Sequence, residues 1–161
     1  MSDQRIELLQ GMAFFGGVTP EVLDLLLERV KPVSVATGEY FFREGDHGAS
    51  AFVLESGRVS VVKTWQERGY LLRHLRAGDC FGEVALMDFC PRSASVRADE
   101  ECRAIELSTL DLQQVARHNT EQFAMIYMNI GRELSRRLRA ADDRAFANAV
   151  EVGEIAPAPD S

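Results

Sequence analysis

The sequence predicts a mainly β fold with flanking helices, an antiparallel sandwich or barrel set between helical ends. Three observations carry the prediction. Glycines recur at positions 38, 45, 48, 57, 69, 78 and 82, with short runs of β-forming residues between them. The segments before residue 32 and after residue 107 instead show apolar side chains at helical spacing. The chain has 161 residues and shows no internal repeat or low-complexity linker, which suits one domain. At this length folding buries about two-thirds of the unfolded surface, so a core forms without a metal or disulfide.

Taken in order, Ile6, Leu8 and Leu9 form a first apolar patch, broken at Gly16-Gly17. Thr19 is placed as an N-cap with Pro20 at the first helical position, where its missing N–H costs nothing. Val22, Leu25, Leu26 and Val30 follow at helical spacing, and Pro32 is expected to close that helix or lie just beyond it. The strand signals are Tyr40-Phe41-Phe42, Ala51 to Leu54, Val59 to Val62, Tyr70-Leu71-Leu72, Ser95-Val96 and Ala104 to Leu107. Only a single helical turn fits among them, over Gly82 to Leu86. Ser108 and Asp111 read as a capping box and Thr120 as a second N-cap. A long helix follows, with Phe123, Ile126, Tyr127, Ile130, Leu134, Leu138, Ala141 and Ala145 near one stripe.

The net charge of −7 works against non-specific nucleic-acid binding, which depends on neutralising phosphates. Cys80, Cys90 and Cys102 are odd in number and contain no CxxC pair, so neither a disulfide framework nor a zinc knuckle is expected, and a reducing, cytoplasmic setting fits. No apolar run suits a signal peptide or a bilayer span. His47, His74 and His118 are scattered, with no His-x-His cluster for a metal. Neither a Ser-His-Asp nor a Cys-His arrangement stands out, so no catalytic residue is assigned and the chain reads as a non-enzyme.

The chemistry concentrates between Gly82 and Ser93. Gly82 lets backbone approach a ligand closely. The turn Glu83-Val84-Ala85-Leu86 offers free N–H groups that favour negative charge. Arg92 can present a bidentate fork to two phosphate oxygens, and Ser93 adds a hydroxyl. A carboxylate beside such a site would repel phosphate, so Glu83 needs another partner, and a ribose hydroxyl is the natural one. Taken singly, Glu83 reads as an acid at a helix start and Arg92 as its ion-pair partner. The order, the spacing and the flanking strand patterns together point to a nucleotide whose phosphate lies close to its ribose.

The order Phe81-Gly82-Glu83-Val84-Ala85-Leu86, five intervening residues, then Arg92-Ser93-Ala94-Ser95-Val96 closely resembles the phosphate-binding cassette of cyclic nucleotide-binding domains. Such domains occur in catabolite activator proteins, in regulatory subunits of cyclic-nucleotide-dependent kinases and in cyclic-nucleotide-gated channels. The turn patterns Gly38 to Asp46, Phe52 to Val59 and Leu75 to Glu83 match as well, so the resemblance covers roughly residues 8 to 145. It implies an antiparallel double-stranded β-roll of the jelly-roll or cupin-like type, with N-terminal helices and a long C-terminal helix. The domain is then expected over residues 1–150, with the roll at about 33–107, helices at about 108–150 and a flexible tail over 151–161.

Carried over residue by residue, the resemblance makes Glu83 the acceptor for the ribose 2′-OH and Arg92 the partner of the cyclic phosphate. Gly82, Ala85 and Leu86 would offer backbone contacts, with Val84 and Ala94 inside the same cassette, and Ser93 would bond at the phosphate or the base. Val61 and Leu72 fall where the family places apolar walls against the purine. Arg137 is either part of a solvated face or reaches the pocket. Some family members contact the purine through hydroxyl residues on the last helix. Ala141 and Asp142 occupy those positions here, and Asp142 is a candidate acceptor for the base. The ligand is cAMP or cGMP, with similarity to bacterial regulators leaning toward cAMP. The last helix is expected to act as lid and homodimer contact.

Residues from about Glu151 onward carry no Lys or Arg and leave no room for a DNA-reading helix pair. The favoured function is therefore a stand-alone sensor that signals to a protein partner. The alternatives are a fragment of a catabolite-activator-type transcription regulator and a ligand-independent interaction module.

Overall fold

The computed structural model describes residues 2–157. Helix α1 (Ser2–Gln10) turns Ile6 and Leu9 inward, and a 3-10 turn over Ala13–Phe15 buries both phenylalanines. Helix α2 (Pro20–Leu27) starts at Pro20, with Thr19 in the N-cap position. The Thr19 side chain makes no capping bond; its backbone N–H instead donates to Gln122 Oε1 at 2.8 Å, tying the start of α2 to the last helix.

Eight strands follow: β1 (Lys31–Val35), β2 (Tyr40–Phe42), β3 (Ser50–Ser56), β4 (Arg58–Trp65), β5 (Arg68–Arg76), β6 (Cys80–Phe81), β7 (Ser95–Ala98) and β8 (Cys102–Ser108). They form two four-stranded antiparallel sheets, in the orders β1-β8-β3-β6 and β2-β7-β4-β5. The expected antiparallel β-roll with flanking helices is what the chain adopts. Two details differ from expectation. Pro32 does not end a helix: α2 stops at Leu27, and Pro32 lies within β1, opposite Ile105. An edge strand accepts a residue without an N–H because one of its sides has no ladder to complete. Strands β1 and β6 carried no clear sequence signal, being respectively a proline-containing edge and a two-residue pairing.

Alternation along β3 builds two cores. Ala51 and Val53 face the helices, where they meet Leu23, Leu112 and Ile126. Phe52 and Leu54 face the opposite sheet, where they meet Val59, Val61 and Val96, with Phe81 of the adjacent strand β6 in the same cluster. Side chains on a strand alternate in direction, so a strand between a helical layer and a second sheet is apolar on both faces.

Ser108 and Asp111 form the expected reciprocal capping box at the start of α3 (Thr109–His118). Helix α4 (Thr120–Val152) is capped by Asn119, whose side chain accepts from Gln122 N at 3.1 Å; Thr120, expected as the cap, is the first helical residue. The helix has 33 residues and so spans about 50 Å. Its first half packs through Ile126 and Ile130, both fully buried. Its second half is bare: Leu138 is 64% exposed and Phe146 72%. The stripe read from the sequence is thus core up to Leu134 and, among the described residues, unpartnered from Leu138 on. Glu151 and Val152, expected in the tail, complete α4, and Gly153 closes it at a φ of 72°. The tail residues 158–161 lie outside the described residues.

Candidate functional site

Strand β6 delivers Phe81 to the edge of the inter-sheet core, and Gly82 then turns the chain with a φ of 75°. Only glycine adopts that conformation cheaply. A side chain there would also collide, since an added Cβ would lie 2.7 Å from Arg92 Nη1 and 3.2 Å from the Phe42 ring. The expected single turn follows as a 3-10 helix over Glu83–Leu86, with Glu83, Ala85 and Leu86 buried and Val84 exposed.

The return segment brings Arg92 back over the turn. Its backbone is clamped to the β2–β3 connection, with Arg92 N donating to Asp46 O and Gly45 N donating to Arg92 O, both at 2.8 Å. Its guanidinium donates to Gly82 O at 3.0 Å and to Ser50 O at 2.8 Å, and lies 4.0 Å above the centre of the Phe42 ring. Two of its five donors are thus committed to backbone carbonyls. Burial pulls this guanidinium down from the ordinary arginine range, and Glu106, Asp46 and Glu83 partly offset the effect. Lys63 Nζ donates to Ser93 O at 2.7 Å, fixing the loop from the β4 side.

Between the turn and this loop lies a cleft enclosing about 590 Å³, its open mouth included. Of the candidate residues it brings together Gly82, Val84, Ala85, Arg92, Ser93, Ala94 and Val61. Leu86 points instead into the core beneath. Phe42, Phe81, Val96, Asp88, Cys90 and Pro91 also line it, none of which was singled out as a site residue. The strand runs gave a signal for Phe42 and Val96, but which face they would present depends on the roll, and Phe81 lies on the two-residue strand that gave none.

Glu83 does not face an open space. Its side chain is 3% exposed, and Oε1 accepts from Arg137 Nη1 on α4. Arg137 also donates to Cys80 O at 3.1 Å and pairs with Glu133 at 3.3 Å. Arg137 is therefore drawn off the solvated face onto Glu83, but neither of the two is among the residues lining the cleft. Leu72 and Asp142 are not brought to the cleft. Val61 pairs with Arg73 and Val62 with Leu71, so Leu72 is the extra residue of a bulge in β5, and it is 53% exposed. Asp142 lies on the exposed second half of α4.

Among the described residues no group of three His, Cys, Asp or Glu side chains suits a metal. A serine, a histidine and an aspartate do meet elsewhere. Ser60 Oγ lies 2.8 Å from both Asp99 carboxylate oxygens and 3.1 Å from His74 Nδ1. The carboxylate takes the hydroxyl directly rather than through an intervening imidazole, so this is a clamp joining β4, β5 and the β7–β8 turn rather than a nucleophile with its base.

The three thiols differ sharply. Cys80 and Cys102 are buried, and burial pushes both thiols up, Cys80 further because it is more deeply buried, with nearby Glu83 adding to the effect. Cys90 is exposed and lines the cleft. A neutral aromatic disulfide reagent is expected to label one thiol per folded chain rapidly, at Cys90, and a saturating cleft ligand is expected to slow that reaction. Peptide mapping of the labelled protein checks both points, and fast labelling of Cys80 would contradict the burial described.

The comparisons with known proteins agree with this geometry. Residues 32–119 match the family model described as the cyclic nucleotide-binding domain. A relative 33% identical over 137 residues is the cyclic AMP receptor protein of Thermus thermophilus, the match covering 83% of this chain and 61% of that protein. This chain thus spans about three-fifths of the length of that relative. The crystal structure of the Thermus thermophilus catabolite activator protein aligns with a TM-score of 0.75 at 30% identity, over 85% of this chain and 63% of that one. A cyclic nucleotide-binding domain from Methylobacillus flagellatus has the same fold, with a TM-score of 0.82 over 98% of this chain and 89% of its own, at 21% identity. No helix of the described residues is long and apolar enough to cross a membrane. With the cassette, the roll and the family match in agreement over more than half of its length, the chain belongs to the cyclic nucleotide-binding domain family.

Proposed function

We propose that residues 1–150 form a sensor module that binds a cyclic nucleotide and reports its presence to a protein partner through α4. One observation carries this reading: the acid assigned to the ribose, Glu83, is joined to the long helix by Arg137. A ligand that hydrogen-bonds Glu83 acts on the same carboxylate that holds α4. It shifts the helix only by as much as its affinity differs between the two helix positions.

In the proposed complex the cyclic phosphate lies against Arg92, Ser93 and the first N–H groups of the 3-10 turn. The ribose 2′-OH donates to Glu83, and the base extends along Val61 and Val96. Arg92 has uncommitted donors for this task, and the carbonyls of Gly82 and Ser50 hold its fork in place. The module performs no chemistry of its own. The bare stripe of Leu138, Phe146 and Val150 supports a homodimer through α4, since apolar side chains in a row along an unsupported helix are covered by an equivalent helix at low cost.

Calorimetric titration with cAMP and with cGMP is the direct test. Saturable heat with at least one of them is expected at micromolar to low millimolar concentration, and the absence of heat with either at millimolar ligand would remove the binding claim. A second reading, that this domain governs a transcription regulator, is favoured by the bacterial receptor and activator proteins it is similar to. Retention of an operator-bearing duplex by the full natural protein, dependent on the nucleotide, would support that reading.

A further inference from the structure

The segment that returns from the 3-10 turn to β7 is held by backbone at its two ends but not between them. Arg92 is clamped to Gly45 and Asp46, and the β4–β7 ladder begins at Ser95, opposite Val62. Among the described residues, Ser93 takes part in no backbone pairing; the ammonium of Lys63 holds it, donating to its carbonyl at 2.7 Å. Lys63 follows Val62 on β4, so its side chain carries the hold beyond the last ladder pair. The ammonium is itself bracketed. Glu44 Oε1 lies 3.5 Å from Nζ, and Glu44 Oε2 accepts from Thr64 N at 2.9 Å. The backbone N–H of Glu44 donates to Ser95 Oγ at 2.8 Å. Lys63 and Glu44 thus join β4, the β2–β3 connection and the start of β7 beside Ser93.

Ser93 lines the cleft, whereas Lys63 and Glu44 do not. A hydroxyl and an N–H contribute fully to binding only when they already stand where the phosphate oxygens arrive, because ordering them during binding costs affinity. An ammonium on a carbonyl is a charge-assisted bond, stronger than a neutral one. The Lys63 side chain is 52% exposed, and its rotamer freedom alone would erode that bond. The Glu44 carboxylate, fixed by Thr64 N, restrains it. Resting on the binding mode proposed above, we infer that Lys63 is a positioning residue of the phosphate site: with Glu44 it holds the Ser93 carbonyl, and so keeps the Ser93 hydroxyl and N–H turned to the cyclic phosphate without touching the ligand itself.

The test is calorimetry on the full chain, with whichever of cAMP and cGMP the wild type binds, for Lys63→Met, Lys63→Arg, Glu44→Gln and the double variant Lys63→Met with Glu44→Gln. Lys63→Met is expected to bind on the order of five- to tenfold more weakly. Lys63→Arg, which keeps a cationic donor, is expected to recover most of that loss. Glu44→Gln is expected to lose less than Lys63→Met, and the double variant to bind within about twofold of Lys63→Met, since Glu44 acts through Lys63. The loss is expected to persist at about 0.5 M salt, where a charge acting only at a distance is screened. In the free chain the amide resonance of Ala94, which shares a peptide unit with the Ser93 carbonyl, is expected to shift in Lys63→Met. An exposed ion pair contributes little to stability, so the melting temperatures should stay within about 3 °C of the wild type. An unchanged affinity in Lys63→Met, a loss that disappears at high salt, or losses that simply add in the double variant overturns the inference while leaving cyclic-nucleotide binding intact. No heat from the wild type with either nucleotide overturns the binding reading and this inference with it.

Discussion

Replacing Arg92 with leucine is expected to weaken cyclic-nucleotide binding by about 2–4 kcal/mol, on the order of 30- to 1,000-fold, through loss of a charge-assisted pair to the phosphate. The side chain is 7% exposed, so water replaces little of what is lost. The same substitution has a second, separable effect. Gly82 O and Ser50 O each lose a donor, and each unpaired buried carbonyl costs about 1–3 kcal/mol less whatever water enters. Leucine retains the packing on Phe42, which offsets a part. A net loss of roughly 2 kcal/mol would lower the melting temperature by about 4–8 °C for a domain of this size. Calorimetric titration well below that melting temperature separates the two effects. An unchanged affinity in a folded Arg92→Leu variant would remove the phosphate role, whereas Arg92→Lys should retain part of the affinity because it keeps the charge without the fork.

Replacing Arg137 with methionine is expected to destabilise the free chain and loosen α4. The Glu83 carboxylate, 3% exposed, would lose its cation, and Cys80 O would lose a donor. Breaking a fully buried ion pair by removing one partner costs about 3–5 kcal/mol. The Arg137 side chain is 23% exposed, so solvent screens the pair in part and a value of about 2–3 kcal/mol is expected. Urea unfolding gives the loss. A double-mutant cycle with Glu83→Gln isolates the pair from the bond to Cys80. Amide exchange along α4 from about residue 134 onward should quicken in Arg137→Met. A stability change below about 0.5 kcal/mol, with unaltered exchange, would show that the pair does not hold the helix, and with it the proposed route from ligand to α4 would fall.

Both predictions concern residues whose type was legible in the sequence and whose partners were not. Arg92 and Glu83 were identified by order and spacing within one short segment, because turn, glycine and strand signals there are local. That Arg92 leans on Phe42 and on the carbonyls of Gly82 and Ser50 is a matter of three separate strands meeting, and no local pattern encodes it. Arg137 was recognisable only as one arginine in a basic run, with two outcomes open. Its pairing with Glu83, 54 positions earlier in the chain, takes it off the solvated face without placing it in the lining of the cleft. The same limit explains Leu72 and Arg73. A strand run says that alternate residues share a face, but a bulge shifts the face by one residue, and the Val61–Arg73 register exists only once β4 and β5 are paired.

What the sequence by itself determined was the class of the fold and the family whose cassette it resembles. These rest on periodicity, turn residues and chemistry within a few positions, and local physics is enough to write them. What only the tertiary structure decided was the company each residue keeps: Arg137 on Glu83, Arg73 opposite Val61, and the second half of α4 uncovered by the other described residues. Those facts depend on the register of strands and the crossing of a helix over the roll. Side chains far apart in the chain become neighbours there only because burying the two cores, around Ile126 and around Phe52, leaves the backbone no other path.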